Sequence, residues 1–219
     1  MFEELIEQLV KYFSRPPHQG DFERAKAMYG KTLSVVVEEH PYFDTWISGF
    51  FEWYLIDYKM EKTGIPPVYL YQRIFADELD SKEMNFLHEM EQASLNLFEI
   101  QSVSGQKIKA QNLYEKKTQD FTSHENTTLM QKGDYIVTRL MRSPQLTKTF
   151  GVIWHLSGEI APIVNKKLGQ IQTNLDEENF LYELIKRKTQ SEVYSHVPLD
   201  QIFGWKTGAE MKVPPRTIK

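Results

Sequence analysis

Residues 50–58 read Phe50-Phe51-Glu52-Trp53-Tyr54-Leu55-Ile56-Asp57-Tyr58, a run of five aromatic rings and two carboxylates. So much apolar surface in one short stretch has to be buried, so the fold is built round it. At about 100° per residue, the period of an α-helix, Phe43, Ile47, Phe50 and Tyr54 fall in a narrow arc. Trp46 and Trp53 flank that arc on one side, Phe51 and Tyr58 on the other. Thr45, Ser48, Glu52 and Lys59 collect opposite, which predicts a helix wetted along one narrow edge. Asp57 breaks this pattern, falling between Trp46 and Phe50 on the aromatic side. A buried carboxylate needs a cation, backbone donors or a proton. The near candidates are Arg73 and the free N–H groups of a helix starting at Pro66-Pro67-Val68. Asp57 and Arg73 are therefore the candidate structural clamp, pinning the turn between two helices. The competing reading makes Asp57 an acid lining a pocket.

The pattern on either side is helical up to residue 96 and then changes. Phe2, Leu5, Ile6, Leu9, Val10 and Phe13 form an amphipathic stripe ended by Pro16-Pro17. Helices are predicted over 21–37, 41–60, 67–76 and 80–96, the last opened by a capping box of Asp80 and Glu83. From Leu97 to Trp154 the segments are short and rich in β formers: Leu97–Val103, Lys107–Asn112, Lys117–Thr122, Asp134–Met141 and Thr149–Trp154. Helical signals return at Ser157–Leu168 and 175–189, where Asn174 and Glu177 resemble a capping box; the Pro- and Gly-bearing tail reads as irregular. The expected fold class is α+β: an N-terminal helical bundle (1–96) packed on a small antiparallel β-barrel-like module (97–155), then short C-terminal helices and an irregular tail (156–219).

Several chemistries are excluded or disfavoured. There is no cysteine, which removes disulfides, thiolate catalysis and cysteine-ligated metals. None of the six histidines forms a tight metal pattern; His88 and Glu91 offer two ligands of the three or four that zinc wants. No phosphate-binding, dinucleotide or nucleophile-elbow motif occurs, so no catalytic, cofactor or metal residue is assigned and no cofactor is expected. No stretch approaches a membrane span and the first residues do not read as a signal peptide, so a cytoplasmic protein without membrane contact is expected. A net charge of −4 argues against broad nucleic-acid binding, though not against a local basic patch. Such a patch is drawn by Arg139 and Arg142 with Tyr135, Trp154 and His155, cations for phosphates beside rings that could stack bases.

The stretch from Phe43 to about Arg142 also resembles a family of bacterial proteins of unknown function, many of which carry a C-terminal SEC-C metal-binding motif. The likeness lies in Phe50–Tyr58, in Gly64-Ile65-Pro66-Pro67 with Tyr69-Leu70, in Ser94–Ile100, and in Gly133-Asp134-Tyr135-Ile136-Val137-Thr138-Arg139-Leu140. Ile65 stands where that family usually has Thr, and the SEC-C cysteines are absent, so the zinc is not carried over. The resemblance implies the architecture and no settled activity.

These readings leave three functions in play. The leading one is a non-enzymatic interaction or regulatory module with a protein partner. The second is an RNA- or nucleotide-binding module using the β segment. The third is a metal-free enzyme with Asp57 or Glu52 in a pocket.

Overall fold

The computed structural model describes residues 2–143 and 146–204. Five helices come first: α1 (Phe2–Phe13), α2 (Gln19–Leu33), α3 (Phe43–Ile56), α4 (Pro67–Ile74) and α5 (Ser81–Glu91). Strands β1 (Leu95–Ser104), β2 (Lys107–Asn112), β3 (Thr118–Thr122), β4 (Tyr135–Arg142) and β5 (Thr147–Leu156) follow. A short 3₁₀ turn, Gly158–Ile160, leads to α6 (Ala161–Leu168), α7 (Asn174–Val193) and α8 (Leu199–Phe203). The fold is α+β with one five-stranded sheet. No helix among the described residues is long and apolar enough to cross a membrane.

Local chemistry sets most element ends. Asp80 accepts from the N–H groups of Lys82 and Glu83 while Glu83 returns the bond to the Asp80 N–H, the reciprocal capping expected for α5. Pro67 fills the first turn of α4, where a missing N–H costs nothing. The α7 cap falls one residue earlier than expected, on Thr173 with Asp176, because the Thr173 hydroxyl accepts from the Asp176 N–H. Helix α2 stops at Leu33 rather than at residue 37: Ser34 turns out at φ 74° and the β-branched run Val35-Val36-Val37 lies outside the helix. Residues 199–203 form α8 where irregular chain was expected, and the remainder of that tail, 205–219, lies outside the described residues.

In the sheet, β1 pairs antiparallel with β2 and β4, β2 with β3, and β4 with β5. One parallel pairing, Thr122 with Lys148, joins β3 to β5, so the order β1-β2-β3-β5-β4 returns to β1. Strand β4 is buried on both faces. Tyr135, Val137 and Met141 join the main core, with the helices and Trp154. Ile136 and Leu140 join a second core with Phe98, Ile100, Ile108, Phe121 and Ile153, enclosed by the sheet.

Helix α3 lies between two layers. Its aromatic side packs on α2, with Phe50 edge-on to Phe22 and Tyr29 at centroid distances of 5.3 and 5.6 Å. Its other side lies against β5, and the contact is close because residue 49 is glycine. A Cβ there would lie 2.5 Å from Trp154 Cζ2 and 2.7 Å from the Tyr29 hydroxyl oxygen. Gly49→Ala is expected to destabilise the protein in urea unfolding. Ala gains about 1 kcal/mol of helix propensity, but overpacking against a buried indole costs about 1–3 kcal/mol, so the net loss reaches up to about 2 kcal/mol.

Candidate functional site

The densest polar constellation lies inside the molecule, where α3 meets the sheet. Arg139 on β4 is 2% exposed, and its guanidinium points toward α3 rather than solvent. Its Nε donates to Glu52 Oε1 at 2.7 Å, its Nη1 to the Ala93 carbonyl at 2.7 Å, and its Nη2 to Asp57 Oδ2. The Val152 N–H of β5 donates to Glu52 Oε2 at 2.8 Å, and the Tyr182 hydroxyl of α7 donates to Asp57 Oδ2 at 3.2 Å. One guanidinium thus links α3, the turn before β1, β4 and, through the two carboxylates, β5 and α7. Fork geometry suits arginine to this task.

The backbone makes room for these groups. The pairing of β4 with β5 shifts register between Val137 and Arg139, and Gly151 sits in the displaced stretch at φ +68°. A Cβ on Gly151 would lie 1.9 Å from Glu52 Oε2, so the carboxylate occupies the space that any side chain would need. The bulge therefore admits Glu52 and turns the Val152 N–H onto it.

Electrostatically, two carboxylates face one guanidinium. Burial pushes the Glu52 carboxyl up to about 7, against the pull of Arg139 and the Val152 N–H. Burial also works against the Arg139 charge, but Asp57 and Glu52 more than offset it and hold the guanidinium protonated. Burial and Asp57 together raise Tyr182, keeping its hydroxyl a donor. The polar groups here are spent on one another, so what the arrangement does is hold layers together.

This geometry redraws the expected clamp. Asp57 is a clamp, but its partners are Arg139 and Tyr182; Arg73 is exposed on α4 and does not meet it. Nor does Asp57 cap α4, whose N-terminus carries no side-chain cap. Glu52 is buried at 8% exposure, not wetted, because the edge of α3 opposite its aromatic arc is covered by the sheet.

The expected basic, aromatic face does not assemble. Tyr135 and Trp154 are each 2% exposed in the main core, and Arg139 is in the buried cluster, so none of the three reaches solvent. His155 is half-buried, its Nε2 2.8 Å from Asp134 Oδ2. Asp134 also accepts from the Gln131 and Gly158 N–H groups at 3.1 and 2.9 Å, tying three chain segments together at the rim of a cleft of about 380 Å³. Arg142 alone of the five stays exposed, and it reaches Gln119 Oε1 of β3 at 3.3 Å. His88 and Glu91 lie 3.4 Å apart on α5 with no third ligand, and no group of three metal-ligating side chains occurs among the described residues.

A second polar site, which the sequence reading did not isolate, lies on the outer face of β2 and β3. The ladder places Ser104, Lys107, Thr122 and Lys148 in one cross-strand row and Ser102, Lys109 and Asp120 in the next. All but Lys148 border an open groove of about 550 Å³, which Leu146 and Thr147 also line. Lys107 and Lys109 are exposed, alternating with buried Ile108 and Ala110. That alternation in Lys-Ile-Lys-Ala is the signal from which the face could have been read.

Two outcomes are expected of the buried cluster. Arg139→Ala leaves two buried carboxylates without their cation and should cost about 3–5 kcal/mol in urea unfolding. Because the folded-state value of Glu52 lies above its ordinary 4.5, its contribution to stability is present below about pH 4.5 and is lost as the pH rises to about 7. Unfolding free energies measured across that window should therefore show wild type losing stability relative to Glu52→Gln as the pH rises. Comparison of the chain with protein-family models, with curated proteins and with solved structures gave no match.

Proposed function

We propose that the protein is a non-enzymatic binding module and that its ligand is a single-stranded nucleic acid laid across the outer face of β2 and β3. One observation carries this reading: the two cross-strand rows, in which Lys107 and Lys109 stand among the hydroxyls of Ser102, Ser104 and Thr122, with the single carboxylate of Asp120 opposite Lys109, beside an open groove. Ammonium and hydroxyl groups on a sheet surface suit phosphate and sugar oxygens, the contacts that position nucleic acids without reading sequence.

The topology is consistent with this. A small barrel of order β1-β2-β3-β5-β4 with β3 parallel to β5 is the arrangement of OB-type folds, whose ligands lie on strands 2 and 3 between the β1–β2 and β4–β5 loops. The likeness is one of fold, and it bears on the place of binding more than on the ligand. Among the described residues the groove is lined by one aromatic ring, Phe121, which is 3% exposed. The proposed binding is therefore electrostatic, with little base stacking and little sequence preference. Kinship with the SEC-C-related bacterial proteins is a separate proposal, about architecture alone. The enzyme reading finds its two carboxylates, Glu52 and Asp57, both committed to Arg139.

Fluorescence anisotropy with labelled oligo(dT) and oligo(U) tests the proposal. Binding should weaken steeply with salt, and Lys107→Glu with Lys109→Glu should flatten the log–log salt slope by about 1.4, the value for two phosphate contacts on a single strand. No binding at low salt, or a slope that the double variant leaves unchanged, would overturn it.

A further inference from the structure

Between α2 and α3 the chain presents a short segment outside any helix or strand at the surface. Val36 is 3% exposed and holds the segment to the core, while Val35 and Val37 are 69% and 61% exposed. Two hydrogen bonds fix its start: Trp46 Nε1 donates to the Ser34 carbonyl at 2.9 Å, and Gln190 Nε2 to the Ser34 hydroxyl at 3.3 Å. The segment is thus anchored to α3 and α7. The N–H groups of Val35, Val36 and Val37 have no hydrogen-bond partner among the described residues, while the Val37 carbonyl accepts from His40. The exposed–buried–exposed alternation of Val35, Val36 and Val37 is that of a strand, and with its free N–H groups and two outward valines the segment is a template for another strand.

We infer that the occupant is a second copy of this chain, with the two segments antiparallel across a two-fold axis near Val36. The charges on either side favour this partner. Lys31 stands before the segment and Glu38-Glu39 after it, all exposed and without an ion pair among the described residues. An antiparallel copy brings Lys31 of each chain toward Glu38-Glu39 of the other, whereas a parallel copy would set like charges together. The same operation sets Val35 of one copy against Val37 of the other, so one patch is its own complement, as a two-fold contact requires. The surface is small, so the association belongs to the weak, concentration-dependent class. It lies on residues apart from the β2–β3 groove and stands or falls independently of the nucleic-acid reading.

Sedimentation equilibrium of the full chain across the micromolar range should show a monomer–dimer equilibrium. Val35→Asp with Val37→Asp should weaken it at least tenfold without changing the thermal midpoint of dilute protein, since both side chains are exposed. The natural chain has no cysteine, so introduced ones report the register without background. A mixture of Val35→Cys and Val37→Cys chains should cross-link faster than either chain alone. A monomer at every concentration, a dimer untouched by the aspartates, or equal cross-linking in all three samples would overturn the inference.

Discussion

A guanidinium buried at 2% exposure is tolerable only if its charge and its N–H groups are satisfied, and the architecture around Arg139 follows from that requirement. Its Nε, Nη1 and Nη2 each have an oxygen acceptor, supplied by Glu52, the Ala93 carbonyl and Asp57. Each acceptor comes from a segment that must therefore be in register with β4. The carboxylates then need donors of their own, which come from the Val152 N–H and the Tyr182 hydroxyl. Removing any member leaves another charged or polar group unpaired in low dielectric, so the cluster is costly to break even where its net contribution over an apolar packing would be small.

The close approach of α3 to β5 depends on two glycines with different roles. Gly49 gives up its side chain so that the Trp154 indole and the Tyr29 hydroxyl can reach the helix. Gly151 adopts a backbone conformation that side chains disfavour and leaves the space that Glu52 fills. With α3 so placed, the sheet keeps one face for the helices and turns its β2–β3 face outward.

Much of this was legible in the residues. The aromatic run marked α3 as central, the capping residues of α5 were readable, and each of the five strands was placed within a few residues. Asp57 stood out because a charge on an apolar arc demands a partner. What could not be read was the partner, since Arg139 lies 82 positions away and only the tertiary fold brings them together. Glu52 was misplaced for a related reason: a helical wheel shows which side is apolar but not that a sheet covers the other. Tyr135 and Trp154 beside Arg139 and Arg142 suggest a stacking surface, but this sheet buries both faces of β4 and only the tertiary fold shows it. The parallel pairing of β3 with β5 rests on the single pair Thr122–Lys148, for which no local pattern exists.

The account holds that the Arg139 cluster joins the helices and the sheet into one cooperative unit. Native-state amide hydrogen exchange under rising denaturant tests this most directly. The amides of α3 and β5, Val152 above all, should exchange through a single opening whose free energy equals that of global unfolding. If the β5 amides instead open at a clearly lower free energy than those of α3, with the helix still protected, the two layers unfold separately and the claim is contradicted.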